Sequence, residues 1–445
     1  MNIILLSGGS GKRLWPLSND TRSKQFLSLL TDAGGARESM VQRVYRQIQE
    51  SGIDARIVIA TSAGQLDPIR RQLGEGVEVV TEPERRDTFP AISLAAAYLF
   101  SEEGCGWDEP VVVMPVDPYT ELSYFQAAVR MEQFVREGVS DIVLMGIAPT
   151  YAAEKYGYIL PRKGCGGPCL RVERFVEKPD AQYAHQLIQD GALWNAGVFA
   201  FRLGYVLDRL AQQFGSADFE TVRSRYGSLE KTSFDYAVVE KASRVAMVPF
   251  DGLWKDLGTW NTLAEEIDED VGHVVRGEGT EDTQIVNELG IPLIALGVKD
   301  LVIAASPDGI LVASKDASSY MKPYVEKVSQ RPMYEERRWG YYKVLDYDSF
   351  GNGCRSLTKR LFVAAGKKIS YQSHAHRDEI WTIVEGTGAL LLDGHTRNVK
   401  RGDVAYITAG MKHALCAVSD LHLVEVQLGG ELAETDIVRY AMDWQ

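Results

Sequence analysis

The sequence predicts an α/β domain on a mostly parallel sheet, then a short β-rich connector, then an all-β barrel. Three observations carry this. From residue 1 to about 265, short apolar runs alternate with helical patterns, as in a parallel sheet covered by helices. From about 270 to 325 the runs shorten, and Asn287, Gly290, Asp300 and Asp308-Gly309 punctuate them. From Trp339 to Gln445 strand patterns dominate, broken by Gly386, Gly388, Asp393-Gly394 and Gly402-Asp403 at the spacing of a small barrel or double-sheet roll. The expected boundaries are 1–268, 269–330 and 331–445.

In the first region, strands are expected at Asn2-Ile3-Ile4-Leu5-Leu6, Ile57–Ala60, Val77–Val80, Val111–Met114 and Ile142–Met145. Helices are expected at Ser39–Glu50, Pro90–Phe100 and Tyr124–Glu137. Connector strands fall at Ile294–Leu296, Leu301–Ala304 and Ile310–Ala313, and a charged helical stretch, Tyr320–Arg331, closes it.

Composition narrows the function. The net charge of −13 argues against a broad nucleic-acid surface, while leaving room for a locally basic phosphate pocket. No run of about 18 apolar residues offers a membrane span, and the N-terminus enters a strand without a signal-peptide core. Five cysteines fit a reducing compartment, so a cytoplasmic location is expected. Cys165 and Cys169 flank Gly166-Gly167-Pro168; with no second pair beside them, a plain loop is expected.

The chemistry begins after the first strand, in Ser7-Gly8-Gly9-Ser10-Gly11-Lys12-Arg13-Leu14-Trp15-Pro16. Glycines let backbone N–H groups approach an anion, and Lys12 and Arg13 add positive charge. It is not a P-loop, because Arg13 rather than Ser or Thr follows Lys12. It is not a dinucleotide fingerprint, because Leu14 takes the place of the third glycine. Asp117 directly follows the 111–114 run, where a carboxylate can hold Mg²⁺ through oxygen.

The string G-G-S-G-K-R-L-W-P-L-S, followed by Lys24-Gln25-Phe26-Leu27, resembles the sugar-1-phosphate nucleotidylyltransferases, and within them the mannose-1-phosphate guanylyltransferases. Lys12 replaces Thr, and Ser23 replaces Pro. The resemblance implies a Rossmann-like (GT-A-like) mixed sheet and transfer of GMP from GTP to mannose 1-phosphate. It implies Gly8, Gly9 and Gly11 at the triphosphate, with Arg13 and Lys24 as catalytic cations. Met114-Pro115-Val116-Asp117 and Trp254-Lys255-Asp256-Leu257-Gly258 resemble the family's metal strings, which makes Asp117 and Asp256 the Mg²⁺ pair; Pro118 stands where the family has His. Glu82-Pro83-Glu84-Arg85-Arg86-Asp87-Thr88 resembles the base loop, implying nucleotide contacts from Glu82, Arg86, Asp87 and Thr88. A carboxylate at Glu82 can accept from guanine N1–H and its 2-amino group, a donor pair adenine lacks. Asp87 replaces the usual Asn. Tyr156-Gly157-Tyr158-Ile159, Phe175-Val176-Glu177-Lys178-Pro179, Trp194-Asn195-Ala196-Gly197 and Ser233-Phe234-Asp235-Tyr236 resemble the sugar-phosphate strings. They imply Gly157, Glu177, Asn195 and Asp235 at the hexose and Lys178 at its phosphate.

In the last region, residues two apart on a strand share a face, so His374 and His376 can converge on one ion, with Glu379 and His413 completing the set. The segment Gln372–Trp381 resembles the cupin-type mannose-6-phosphate isomerase domain fused to bacterial guanylyltransferases. It implies a divalent transition metal or Zn²⁺. Ile380 replaces a family His, and the chain ends Met442-Asp443-Trp444-Gln445 without the family's terminal Arg, leaving Arg377 and Arg439 as phosphate cations. Two alternatives stay open: the same transfer to another sugar 1-phosphate, such as a heptose, or a bifunctional enzyme that also interconverts mannose 6-phosphate and fructose 6-phosphate. The expected partners are GTP and a sugar 1-phosphate, with no nucleic acid and no membrane, and the connector can mediate a homodimer.

Overall fold

The computed structural model describes residues 1–441 apart from Ser10, Asp20, Cys165 and Ser329. Half of the cysteine pair and the terminal string 442–445 therefore lie outside the described residues. The backbone forms two compact units, Met1–Leu14 with Ser23–Glu269, and Trp15–Arg22 with Asp270–Gln445.

The first unit holds strands β1 (Asn2–Ser7), β2 (Arg56–Ser62), β3 (Glu78–Glu82), β4 (Pro110–Pro115), β5 (Pro118–Thr120), β6 (Ile142–Ile147), β7 (Gly157–Pro161), β8 (Leu170–Glu177), β9 (Leu193–Arg202), β10 (Val245–Phe250) and β11 (Trp254–Asp256). Nine of them form one sheet in the order β3-β2-β1-β4-β9-β6-β10-β8-β7, and β5 pairs separately with β11. Alternation along β1 divides the interior: Ile3 and Leu5 enter one core with Val41 and Val44, and Ile4 enters another with Val58 and Ile92. A strand covered on both faces must be apolar throughout, which is why β1, β4 and β6 read as unbroken apolar runs.

The mostly parallel expectation holds for one half. β1 runs parallel to β2 and β4, and β2 to β3. β9 lies antiparallel to β4, β6 and β7, so the whole sheet is mixed. β7 and β8 pair antiparallel across a short connection, too short for a parallel crossover. The carboxyl ends of β1 to β4 thus share one edge, where open sheets bind ligands.

Two helices frame that edge. Met40–Glu50 begins with a capping box between Ser39 and Gln42. Thr88–Ser101 is alanine-rich and buried nearly all round, and Asp87 caps it.

In the second unit, β12 (Val274–Arg276), β13 (Gln284–Asn287), β14 (Leu293–Ala295) and β15 (Leu301–Ser306) make two turns of a small solenoid, with β12 parallel to β14 and β13 parallel to β15. β16 (Gly309–Ser314) folds back antiparallel on β15 and ends it. Ile285, Ala295 and Ile303 fill the centre. A short helix, Lys315–Ser318, follows β16, and within the expected charged helical stretch Tyr320–Arg331 the helix covers Lys322–Val325.

The rest is a double-sheet roll of β17 (Tyr334–Arg337), β18 (Gly340–Ser349), β19 (Arg355–Val363), β20 (Lys368–Ser373), β21 (Arg377–Glu385), β22 (Thr387–Leu392), β23 (His395–Lys400), β24 (Val404–Ile407), β25 (His413–Ala417), β26 (Leu421–Gly429) and β27 (Val438–Arg439). The sheets run β17-β18-β19-β26-β21-β24 and β23-β22-β25-β20-β27. Trp381, Leu357, Val363, Leu415 and Leu423 pack in its core.

Candidate active sites

The glycine loop leaves the end of β1. Gly8 and Gly9 are exposed, a side chain added at either would meet nothing, and Gly9 sits at φ +120°, a conformation glycine adopts without strain. Gly11–Leu14 forms a short 3-10 turn that carries the exposed Arg13. Lys24 opens another 3-10 turn, Lys24–Phe26. Buried Gln65 fixes that turn: its Nε2 donates to Ser23 Oγ at 2.7 Å, and its Oε1 accepts from Thr61 Oγ1 at 2.7 Å and from Gln25 Nε2 at 3.3 Å. Sequence reasoning missed Gln65, and nothing in its local string marks it.

Asp117 lies between β4 and β5. Antiparallel pairing sets Asp256 of β11 opposite Pro118, which brings the two aspartates together. Lys24 Nζ lies 2.7 Å from Asp117 Oδ2 and 3.7 Å from Asp256 Oδ1. Burial pushes the Lys24 ammonium down, but Asp117 and then Asp256 outweigh it, and the net shift is upward. Two carboxylates reaching one ammonium converge on one cation position, so their oxygens fit a divalent metal. Gly258 makes room, since a Cβ there would lie 2.9 Å from Asp256 Oδ1.

The sugar-side strings also meet. A Cβ on Gly157 would lie 2.5 Å from Glu177 Oε2 and 3.3 Å from Asn195 Cβ, so only glycine allows their approach. Asn195 Nδ2 donates to Asp235 Oδ1 at 2.8 Å. Burial, with the nearby Glu177 charge, pushes the Asp235 carboxyl up to about 7. Lys178 lies in the left-handed region at φ +47°, with Nζ 2.5 Å from Glu177 Oε1.

The side chains of the base loop have protein partners. Glu82 ends β3, buried, with its pKa raised by burial. The three other expected nucleotide contacts are directed at protein. Arg86 donates through Nε and Nη2 to the Leu229 carbonyl at 3.1 and 2.9 Å. Asp87, at φ +72°, accepts from Thr88 N–H at 2.7 Å as the helix cap. Thr88 Oγ1 accepts from Phe234 N–H at 2.8 Å. The loop is largely exposed, and these bonds tie it to the protein beneath.

In the roll, His374 follows β20, His413 opens β25 and Glu379 lies in β21, so the trio joins both sheets. One ligand atom from each lies within 4.8 Å of the others, and all three residues are buried. His374 Nδ1 lies 2.6 Å from the Asp436 carbonyl and His413 Nδ1 3.1 Å from that of Met411, which leaves both Nε2 atoms facing Glu379 at 3.3 and 3.6 Å. Burial lowers both histidine pKa values, favouring the neutral form that binds metal. The donor set fits a divalent metal.

His376 does not join them. β20 ends at Ser373 and the chain turns outward before β21, so the strand alternation stops short of residue 376. Its ring is exposed, and its backbone N–H donates to Asp436 Oδ2 at 3.0 Å. Gln372 occupies that neighbourhood instead, with Nε2 3.3 Å from His374 Nε2 and 3.4 Å from His413 Nε2. Arg377 is buried and donates through Nε to Glu379 Oε1 at 2.9 Å, whereas Arg439 is exposed.

Comparison with known proteins fits this two-part geometry. Residues 2–271 match the family model described as nucleotidyl transferase, and residues 326–442 match mannose-6-phosphate isomerase C-terminal. A mannose-1-phosphate guanylyltransferase of Escherichia coli K12 is 32% identical, with 98% of this chain and 97% of the relative covered. A putative mannose-1-phosphate guanylyltransferase of Vibrio cholerae is 33% identical over 98% of each chain. The chain belongs to the mannose-1-phosphate guanylyltransferase family. Among other members, the alginate biosynthesis protein AlgA of Pseudomonas aeruginosa is 30% identical, with 98% of this chain and 95% of the relative covered. The crystal structure of a mannose-1-phosphate geranyltransferase from Thermus thermophilus superimposes with a TM-score of 0.59 at 30% identity, covering 73% of this chain and 98% of that one.

Proposed function

We propose that the chain transfers GMP from GTP to mannose 1-phosphate, releasing pyrophosphate and GDP-mannose. The observation that carries this is the pairing of both Asp117 and Asp256 with the one ammonium of Lys24, which brings two carboxylates to a single cation position. Asp117 and Asp256 would hold Mg²⁺, with the Lys24 ammonium giving up that position, and the metal would supply charge compensation at the α-phosphate. Backbone N–H groups of Gly8, Gly9 and Gly11 face the triphosphate, and Arg13 and Lys24 add positive charge there. Glu82 accepts from the base. Gly157, Glu177, Asn195 and Asp235 hold the hexose hydroxyls, and Lys178 leaves Glu177 for the sugar's phosphate. The nucleophile is a phosphate oxygen already deprotonated at neutral pH, so the site needs no strong general base. It attacks the α-phosphorus in line, and pyrophosphate leaves with the electron pair of the broken P–O bond.

The test is pyrophosphate release with Mg²⁺, crossing GTP, ATP, CTP and UTP with mannose 1-phosphate, glucose 1-phosphate and a heptose 1-phosphate. Release chiefly from GTP with mannose 1-phosphate is expected. Asp117→Asn and Asp256→Asn should each abolish it in folded protein, and retained turnover in both refutes the metal pair.

A second activity has one supporting observation, the buried His374, Glu379 and His413 trio. We propose that it binds Zn²⁺ or a transition metal and interconverts mannose 6-phosphate and fructose 6-phosphate. Fructose 6-phosphate formation that survives His374→Ala refutes this.

A cytoplasmic location suits the four described cysteines, all free. No helix among the described residues is long and apolar enough to cross a membrane. A homodimer through the solenoid is supported by Val275 and Ile294, which sit side by side across β12 and β14 with exposed side chains, next to exposed Leu296. Light scattering on Ile294→Asp is expected to give half the wild-type mass.

A further inference from the structure

The loop after β3 is fastened to the segment from Tyr226 to Asp235. The Tyr226 hydroxyl donates to Glu82 Oε2 at 2.6 Å, and both residues are buried. Arg86 holds the Leu229 carbonyl, Phe89 N–H donates to the Thr232 carbonyl at 3.2 Å, and Phe234 N–H donates to Thr88 Oγ1. The segment ends at Asp235 on the sugar side, anchored by Phe234 against Phe199 and Phe201.

A carboxylate offers about four acceptor positions. Glu82 uses one for the Tyr226 hydroxyl and one for the backbone N–H of Arg86. About two remain, matching the two adjacent donors on the guanine edge. We propose that Tyr226 is a positioning residue for base selection: its hydroxyl fixes the Glu82 carboxylate so that its two free acceptor positions face the N1–H and 2-amino donors of the purine. This rests on GTP being the nucleotide substrate, as proposed above. Without the hydroxyl the carboxylate can rotate, and in its buried setting it takes up a proton more readily. A protonated acid exposes a donor where guanine also presents donors, which removes the preference.

The test compares GTP with ITP, whose base lacks the 2-amino group, in the full-length protein with Mg²⁺ and mannose 1-phosphate. The wild type is expected to favour GTP in kcat/KM. In Tyr226→Phe that preference should fall about tenfold, the scale of one hydrogen bond to a charged group, chiefly through KM for GTP. General loosening of the fold lowers both nucleotides together and leaves the ratio in place. A wild-type ratio in folded Tyr226→Phe overturns the inference. Should Phe prevent folding, 4-aminophenylalanine at position 226 keeps the shape with a weaker donor, and an unchanged ratio there overturns it equally. A wild type with no preference for GTP overturns the base reading and this inference together, whereas a preference that survives in the variant overturns only this one.

Discussion

Asp235 shows how one side chain of the proposed sugar site bears on stability. Its carboxyl is raised to about 7 by burial and by Glu177. A raised carboxylate binds its proton more tightly folded than unfolded. Its stabilisation is therefore fully present below the unfolded value of about 4 and is lost as pH rises to about 7. Urea midpoints from pH 4 to 8 should show the wild type losing stability relative to Asp235→Asn across that window and no further above it. At this scale the sequence was informative about which residues come together, because the strings around Gly157, Glu177, Asn195 and Asp235 meet in space. It was silent on what lies opposite in space: Arg86 and Thr88 also bond to Leu229 and Phe234, more than a hundred positions away. Gln65 and Tyr226 belong to no local pattern, so only folding shows what they do.

Secondary-structure elements position each site by register. The β5–β11 pairing places Asp256 beside Asp117, and the turn after β11 needs Gly258 to leave space for the Asp256 carboxylate. Gly258→Ala should raise the Mg²⁺ concentration for half-maximal pyrophosphate release several-fold while circular dichroism stays unchanged; an unaltered Mg²⁺ titration would refute the steric argument. The main strands were legible because each is apolar on both faces and bounded by turn residues. Sheet polarity was not: the same apolar run serves a parallel or an antiparallel neighbour, and β9, antiparallel to β4, β6 and β7, makes the sheet mixed. His376 failed for a related reason. Period-two alternation applies only while the strand lasts, and β20 stops one residue before His374.

For the whole molecule, separate hydrophobic cores in the first unit and the roll predict two unfolding transitions in calorimetry. A ligand stabilises only the folded form that binds it. Adding Zn²⁺ to metal-free protein should raise one transition and leave the other in place, and His413→Ala should abolish the rise; an unmoved pair of transitions in the wild type would refute a metal site in the roll. The segment Trp15–Arg22 has a temporal consequence. It emerges from the ribosome early, directly after the glycine loop, yet it belongs to the second compact unit. Its partners are Glu288 for Arg22 at 2.7 Å, Ser306 for the Pro16 carbonyl at 2.6 Å and Asp308 for Asn19 at 2.5 Å. Each of those partners is translated at least 266 codons later, so this segment must wait without them until synthesis has passed the solenoid.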